Sequence, residues 1–445
     1  MNKLSLILSF AFIILSKHLA FAQEEWTLQK CINYALKNNI KIKQHDLNAE
    51  YNKNLLSQTK SERLPNLNAS LSNSFNIGRS LTYENTYKNV NSSQIDGYLS
   101  TNFILWRGFT IQNKIRQHKL DFQASLQELE ETKDNIILNI AALYLEILFA
   151  EELENITESQ IEVTRQQIDR TKKLLDAGSV AKGALLEIEA QLAREELQLV
   201  KDQNKVQMAY LKLFQLLELP ADERFKISKP ELPVIKADET MVKSYNIFNK
   251  ALRIRPEIKA AQLKVESAMR QLDIAKGKQF PVLSFGANYY NLYNNKYTDI
   301  YNQPISFTDQ LGNNQRYAMG LSLNIPIFNK FEVKNEISRA TLQIADYKYQ
   351  LQTARNILRK DIEQAYANAL ASHNNYLAGK KAVESTEEAF RYTEEKFNVG
   401  IVNSVEYNQS KNYLAIARSE LLQAKYEYIF RSKILDFYNG IPIEL

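Results

Sequence analysis

The sequence predicts a mainly α-helical chain with a membrane β-barrel portion, in which a strand pair followed by a long helical hairpin occurs twice. Three observations carry this. Two arms, residues 108–175 and 330–397, contain no proline, and at 1.5 Å per residue each would reach roughly 100 Å as a helix. Four stretches of about ten residues alternate polar and apolar side chains, the period-two mark of strands. Landmarks of the first half recur in the second at near-constant spacing, the sign of a duplication.

Composition supports a helix-rich chain. The 445 residues include 12 Gly and 9 Pro, against roughly 7% and 5% in average usage, so few loops are expected. Residues 1–22 combine Lys3, the apolar run Leu4 to Leu15 and Ala20-Phe21-Ala22, the layout of a secretory signal peptide with an A-x-A cleavage site. Net charge is +5, or +3 once Lys3 and Lys17 leave with the leader, and the charges are interspersed. That excludes a nucleic-acid footprint. Cys31 is the one cysteine; it lies inside a helical pattern, nine residues past Ala22, and is expected to be a half-buried structural thiol.

In chain order, Thr27 is placed to cap a short helix through Ala35-Leu36, which Asn38-Asn39 interrupts. A second helix runs from Ile40 to Arg63 and stops at Leu64-Pro65. The first strand, residues 66–77, sets Leu67, Ala69, Leu71, Phe75 and Ile77 against Asn66, Asn68, Ser70, Ser72 and Ser74. A polar loop is expected over 78–93. The second strand, 94–105, sets Ile95, Leu99 and Phe103 against Gln94, Asp96, Ser100 and Asn102. The first long arm follows Trp106-Arg107-Gly108, turns at residues 175–181 and returns to Leu219.

Pro220, Pro230 and Pro233 mark residues 220–250 as a linker or small equatorial segment between a first repeat, 23–219, and a second, 251–445. Ala35-Leu36 matches Ala251-Leu252 and Pro65 matches Pro281, 216 apart; Trp106 matches Phe328 and Gly178 matches Gly400, 222 apart. The third strand is expected at 282–293, a polar loop at 294–314, the fourth strand at 315–327 and the second arm from Lys330. Seams such as Ile136, Ile140, Leu143, Ile147 and Leu414, Ala417, Leu421, Ala424, Tyr428 step by three and four, the spacing of helices that coil around neighbours.

Strands of this length cross an outer-membrane hydrocarbon layer when tilted. Phe75, Tyr83, Tyr289, Tyr290, Tyr293 and Tyr317 cluster near strand ends as an interfacial girdle would. A soluble sheet with one solvated face gives the same alternation, but the leader favours the envelope. Four strands cannot close a barrel, and an open edge in lipid is forbidden. Chains must therefore pool strands: two chains give eight, whose interior side chains fill, and three give twelve, which leave a lumen.

The duplicated strand pair and hairpin resemble the TolC-type outer-membrane efflux proteins. The most specific residues are Phe397-Asn398-Val399-Gly400-Ile401-Val402 with Val405-Glu406, and Ala177-Gly178-Ser179-Val180 with Ala190-Gln191-Leu192. The resemblance spans the mature chain. It implies a homotrimer with a twelve-stranded barrel in outer-membrane lipid on an α-helical periplasmic tunnel. It also implies an outer-membrane exit duct for efflux or type I secretion, whose tips dock on a periplasmic adaptor of an inner-membrane pump. A trimeric adhesin or a periplasmic coiled-coil scaffold is the alternative. An adhesin would hold its strands in one C-terminal block, and a scaffold would lack them.

Gly178 and Gly400 allow the left-handed backbone that a tight turn needs. Leu175, Val180, Phe397 and Val402 flank them as apolar residues expected at an exposed tip. They can staple each turn to itself, and the resemblance implies that they dock the adaptor. Glu406 falls where the resemblance implies an acidic entrance ring, and Asn403 with Glu406 is also a capping box. The first copy has Ala184 at the matching position; Glu187, one turn later, could substitute or simply face solvent. No H-E-x-x-H, paired cysteine, P-loop or nucleophile elbow occurs, and His45, His118 and His373 read as scattered helix-surface residues. No enzyme activity, cofactor or metal is expected.

Overall fold

The computed structural model describes residues 25–81, 85–220, 225–233, 235 and 241–444. The expected leader, 1–22, and Tyr83 lie outside them. In chain order the elements are β1 (Glu25–Trp26), α1 (Leu28–Asn38), α2 (Ile40–Ser61), β2 (Asn68–Asn76), β3 (Arg79–Leu81), β4 (Tyr87–Asn89) and β5 (Ser92–Arg107). The first hairpin follows, α3 (Thr110–Asp176) and α4 (Lys182–Leu217). Then come β6 (Lys226–Ile227), α5 (Ser244–Ile254), α6 (Pro256–Gly277), β7 (Val282–Asn294), α7 (Phe307–Asn313) and β8 (Arg316–Asn324). The second hairpin, α8 (Glu332–Asn398) and α9 (Ser404–Tyr438), ends the chain. The two first arms are 67 residues each.

The chain divides into two compact units. One comprises Leu47–Leu126 and Ala260–Gln352 and holds a four-stranded antiparallel sheet in the order β2-β5-β7-β8. Its register sorts the side chains by chemistry. Leu71 lies opposite Gly97, Phe103 opposite Phe285, and Leu283 opposite Leu323 on one face. Ser70, Tyr98, Tyr290 and Arg316 form one row on the other, so Tyr290, expected in the girdle with Tyr289, Tyr293 and Tyr317, faces the opposite way from them because strand side chains alternate. The apolar face is open: Leu71 is 79% and Met319 77% exposed. One edge of β2 and one of β8 are unpaired, so the sheet is incomplete as it stands.

Both expected polar loops hold structure that composition did not signal. Residues 78–93 contain the small hairpin of β3 and β4, and 294–314 contain α7, capped by the Ser306 hydroxyl. The reason for α7 lies in the sheet. β7 runs four residues beyond the end of β8, leaving backbone groups without a neighbour strand. Gln310, buried on α7, accepts from the Asn294 N–H (2.9 Å) and donates to its carbonyl (2.9 Å). Its amide thus supplies both bonds that a paired strand residue would make. Asn314 caps the Leu292 carbonyl in the same way. β8 stops at Asn324, short of the expected 327, because Pro326 has no N–H to continue a ladder.

Each long arm starts at a doubled left-handed step, Gly108-Phe109 (φ +50° and +58°) and Lys330-Phe331 (+52° and +62°), 222 residues apart. In the first copy glycine is also needed for space, since a methyl group there would overlap the Gly277 carbonyl.

The other unit comprises Met1–Asp46, Gln127–Lys259 and Thr353–Leu445. Its core gathers Trp26, Ile32, Ile140, Ile147, Leu213, Ile227 and Ile429. Within the described part of segment 220–250, β6 pairs in parallel with β1, and Ile227 is fully buried. The Tyr144 hydroxyl sits between the two strands, 3.2 Å from the Trp26 carbonyl of β1 and 2.7 Å from the Ser228 carbonyl just after β6. The helix carrying Ala251 begins at Ser244, 216 residues after Leu28. Thr27 caps α1, accepting from the Lys30 N–H at 3.2 Å. Cys31 is fully buried, not half-buried, and burial pushes its thiol up to about 12. His373 is buried against the Tyr428 ring and is not a surface residue. On α9, Leu414, Ala417, Ala424 and Tyr428 are buried and Leu421 is half-buried. A Cβ at Gly379 would meet the Leu421 backbone at 3.4 Å, ordinary van der Waals contact, so α8 and α9 pack closely there with room for no more than a methyl group.

Candidate functional site: the hairpin turns

The two turns are built alike. The Ser179 N–H bonds the Leu174 carbonyl (2.8 Å) and the Gly178 N–H the Leu175 carbonyl (2.9 Å); Ile401 to Lys396 (2.9 Å) and Gly400 to Phe397 (3.1 Å) repeat the pattern. This nested pair is the Schellman arrangement, which needs a left-handed residue after the helix. Gly178 (φ +72°) and Gly400 (φ +81°) supply it.

They differ in what they show to solvent. Leu175 and Val180 are half-buried and no large apolar side chain is exposed between them. Phe397 and Val402 are half-buried too, contrary to the exposed tip expected for all four. Phe397 stacks on Tyr407 with ring centroids 4.6 Å apart, which fastens the turn to the start of α9. The exposed apolar residues of the second turn are Val399 and Ile401, at 71% and 72%. Both adjoin Gly400 in sequence.

Glu406 is exposed, and its N–H is capped by the Asn403 side chain at 2.9 Å. The first hairpin has Ala181 as its uncapped counterpart. Glu187 is exposed but not free in solvent: it accepts from the Ser404 hydroxyl at 2.6 Å and so links α4 to α9. Arg170 reaches from α3 to the Asn398 side chain and carbonyl. The two turns are thereby held side by side by polar contacts.

Above the turns lies a buried polar node that sequence reasoning missed. The Lys411 ammonium, on α9, donates to the Gln160 carbonyl (3.0 Å), to Thr164 on α3 and to Glu195 on α4 (3.1 Å). Glu195 also accepts from Thr164 and Gln191. Burial lowers the pKa of Lys411, while Glu195 pulls it back up. A signal was present. The Ile136–Ile147 seam continues in steps of three and four to Thr157, Ile161, Thr164, Ile168 and Thr171, all buried. Threonine at every seventh residue marks where the apolar seam turns polar. Thr157 makes the same kind of contact to buried Asp202 at 3.0 Å.

Among the described residues no group of three His, Cys, Asp or Glu side chains is placed to hold a metal ion. No described helix is long and apolar enough to cross a membrane.

A sequence model of the family described as outer membrane efflux protein matches residues 31–218 and 247–438. Outer membrane protein TolC of Escherichia coli (strain K12) is 26% identical over 79% of this chain and 71% of its own length. The alkaline protease secretion protein AprF of Pseudomonas aeruginosa is 22% identical over 78% and 70%. In structure, the outer membrane protein VceC of Vibrio cholerae superposes with a TM-score of 0.79 at 15% identity, over 94% of this chain and 97% of that one.

Proposed function

The chain belongs to the outer membrane efflux protein family, and from that premise we propose which of its parts meet partners and control passage. It is an outer-membrane exit duct of efflux or type I secretion systems, reaching into the periplasm. The trimer forms its barrel, which accounts for the open sheet of one chain. Its family is one of passive channels, and TolC-type relatives imply trimeric assembly with adaptor and pump partners in general. The observation that carries the duct is the sheet itself, with an exposed apolar face, a polar face and two unpaired edges. Closing the edges between three chains turns the polar face into a lumen wall.

Within that duct the second turn is the stronger adaptor-docking site. Val399 and Ile401 present apolar surface at a rigid Gly400 turn. Gly178, Leu175 and Val180 form a weaker contact, while Phe397 and Val402 hold the docking surface in shape. This asymmetry gives three strong and three weak sites per trimer. Cysteine placed at Ile401 should cross-link to the periplasmic adaptor in cells more strongly than cysteine at Val180. Equal or absent cross-linking at both would refute the assignment.

Glu406, exposed beside the second turn, forms the entrance ring of three carboxylates, which attracts cations and repels anions. Glu187 is a tether to Ser404 and contributes to the ring only indirectly. In planar bilayers Glu406→Ala should reduce cation preference, and unchanged selectivity would leave Glu406 with its capping role alone. Energy for transport comes from the pump. Residues 1–22 are removed as a leader, so N-terminal sequencing of the mature protein should begin at Gln23.

A further inference from the structure

We infer that the barrel holds a second constriction near its outer end, a ring of tyrosines with carboxylates that binds organic cations on their way out. The polar face of the sheet is uneven. The row nearest the long helices holds Arg107, Val282 and Asn324, and the next Ile104, Ser284 and Ser322; two rows of small neutral groups follow, Asn102, Gly286 and Gly320, then Asn68, Ser100, Asn288 and Ala318. The next row toward the loops changes character to Ser70, Tyr98, Tyr290 and Arg316, and Asp96 stands one row beyond. β5 leads from this end down to Arg107, where the helical arm begins, so the row lies at the end of the barrel away from the periplasm.

The aromatic groups are fixed in place. The Tyr290 hydroxyl donates to Asp96 at 2.6 Å, and Gln94 donates to both Asp96 oxygens at 3.0 and 3.1 Å. The Tyr98 hydroxyl donates to Asn288 at 2.8 Å. With the phenol tips bonded to the wall, the ring faces are what remains for a passing solute, and Tyr98 is 40% exposed. A trimer repeats this three times, giving six tyrosines and three arginines around one level of the lumen and three aspartates one row beyond. Arg316 lies on the edge strand β8, and Asp96 on the inner strand β5, so opposite charges alternate around the wall. Their balance leaves little preference between small cations and anions. Aromatic faces beside a carboxylate instead favour a large, weakly hydrated cation, through the ring quadrupole. None of the rows below, down to Arg107, carries an aromatic ring or a carboxylate on this face, so they offer no competing cation site.

The test rests on the polar face lining the lumen and uses single trimers in planar bilayers, with tetraphenylphosphonium as the probe. Added on the loop side, it should block the current partially and with voltage dependence, in the wild type and equally in Glu406→Ala. Tyr98→Ser with Tyr290→Ser should raise unitary conductance and weaken block by about fivefold or more, the scale of a cation–aromatic contact. Asp96→Asn should weaken block and, by leaving the Arg316 charges unbalanced, shift the open channel toward anions, and Tyr290→Phe, which keeps the ring, should retain block. Block that survives the double substitution unchanged, or that disappears with Glu406→Ala, would overturn the outer ring. A wild type that forms no channels at all would instead overturn the duct on which it rests.

Discussion

Replacing Lys411 by methionine should loosen the lower part of α9 from the first hairpin. Lys411 and Glu195 have side chains 8% and 7% exposed, with N···O 3.1 Å. Removing one partner of such a pair costs about 3–5 kcal/mol, because the other charge stays buried and uncompensated. Glu195 would keep its bonds from Thr164 and Gln191, so the cost here is nearer about 2–3 kcal/mol. Since 1.4 kcal/mol is a factor of ten, amide exchange near residues 160–168 and 191–198 should accelerate by roughly 30- to 150-fold, provided that these amides exchange through local opening. The same burial lowers the Lys411 pKa, so the charged pair itself is costly to keep. Lys411→Met combined with Glu195→Met should therefore recover most of the protection, as apolar replacements of buried pairs often do. Hydrogen exchange with mass-spectrometric readout on the detergent-purified trimer measures both. Unchanged exchange in the single variant, or a double variant no better than the single, would refute the claim that charge burial decides the stability of this node.

Tyr407 is buried and pushed up to about 12, first by burial and then by the nearby Glu394 carboxylate. A folded-state value above the unfolded one gives stability that is present below pH ~10 and lost as pH rises toward 12, about 2–3 kcal/mol in all. Tyr407→Phe should flatten that alkaline loss in a pH series of thermal melts. Gly400→Ala and Gly178→Ala should each destabilise their turn by about 1–2 kcal/mol, from the left-handed backbone alone, since a Cβ at either meets nothing within 4 Å. Limited proteolysis at the turns would report it. Gln310→Leu should expose the loop 295–314 to protease while leaving the trimer intact, because both Asn294 backbone groups lose their partner at about 1–3 kcal/mol.

The sequence alone determined the repeat, the order of the long helices and the four main strands, the period-two faces and the two glycine turns. Each rests on local chemistry that repeats along the chain: strand alternation in Leu67 to Ile77, caps at Thr27 and Asn403, and left-handed glycine at 178 and 400. Tertiary structure decided which side chains are available. Phe397 looks exposed in a turn sequence, yet Tyr407 lies within stacking distance across the hairpin, and Val399 and Ile401 face outward instead. Gln310 reads as a loop residue until β7 is seen to outrun β8 and leave an edge to satisfy. The Lys411–Glu195 pair joins separate helices, and a partner 216 residues away is invisible to any local pattern. Local periodicity fixes where a side chain points on its own element. What it meets there depends on elements brought beside it from elsewhere in the chain.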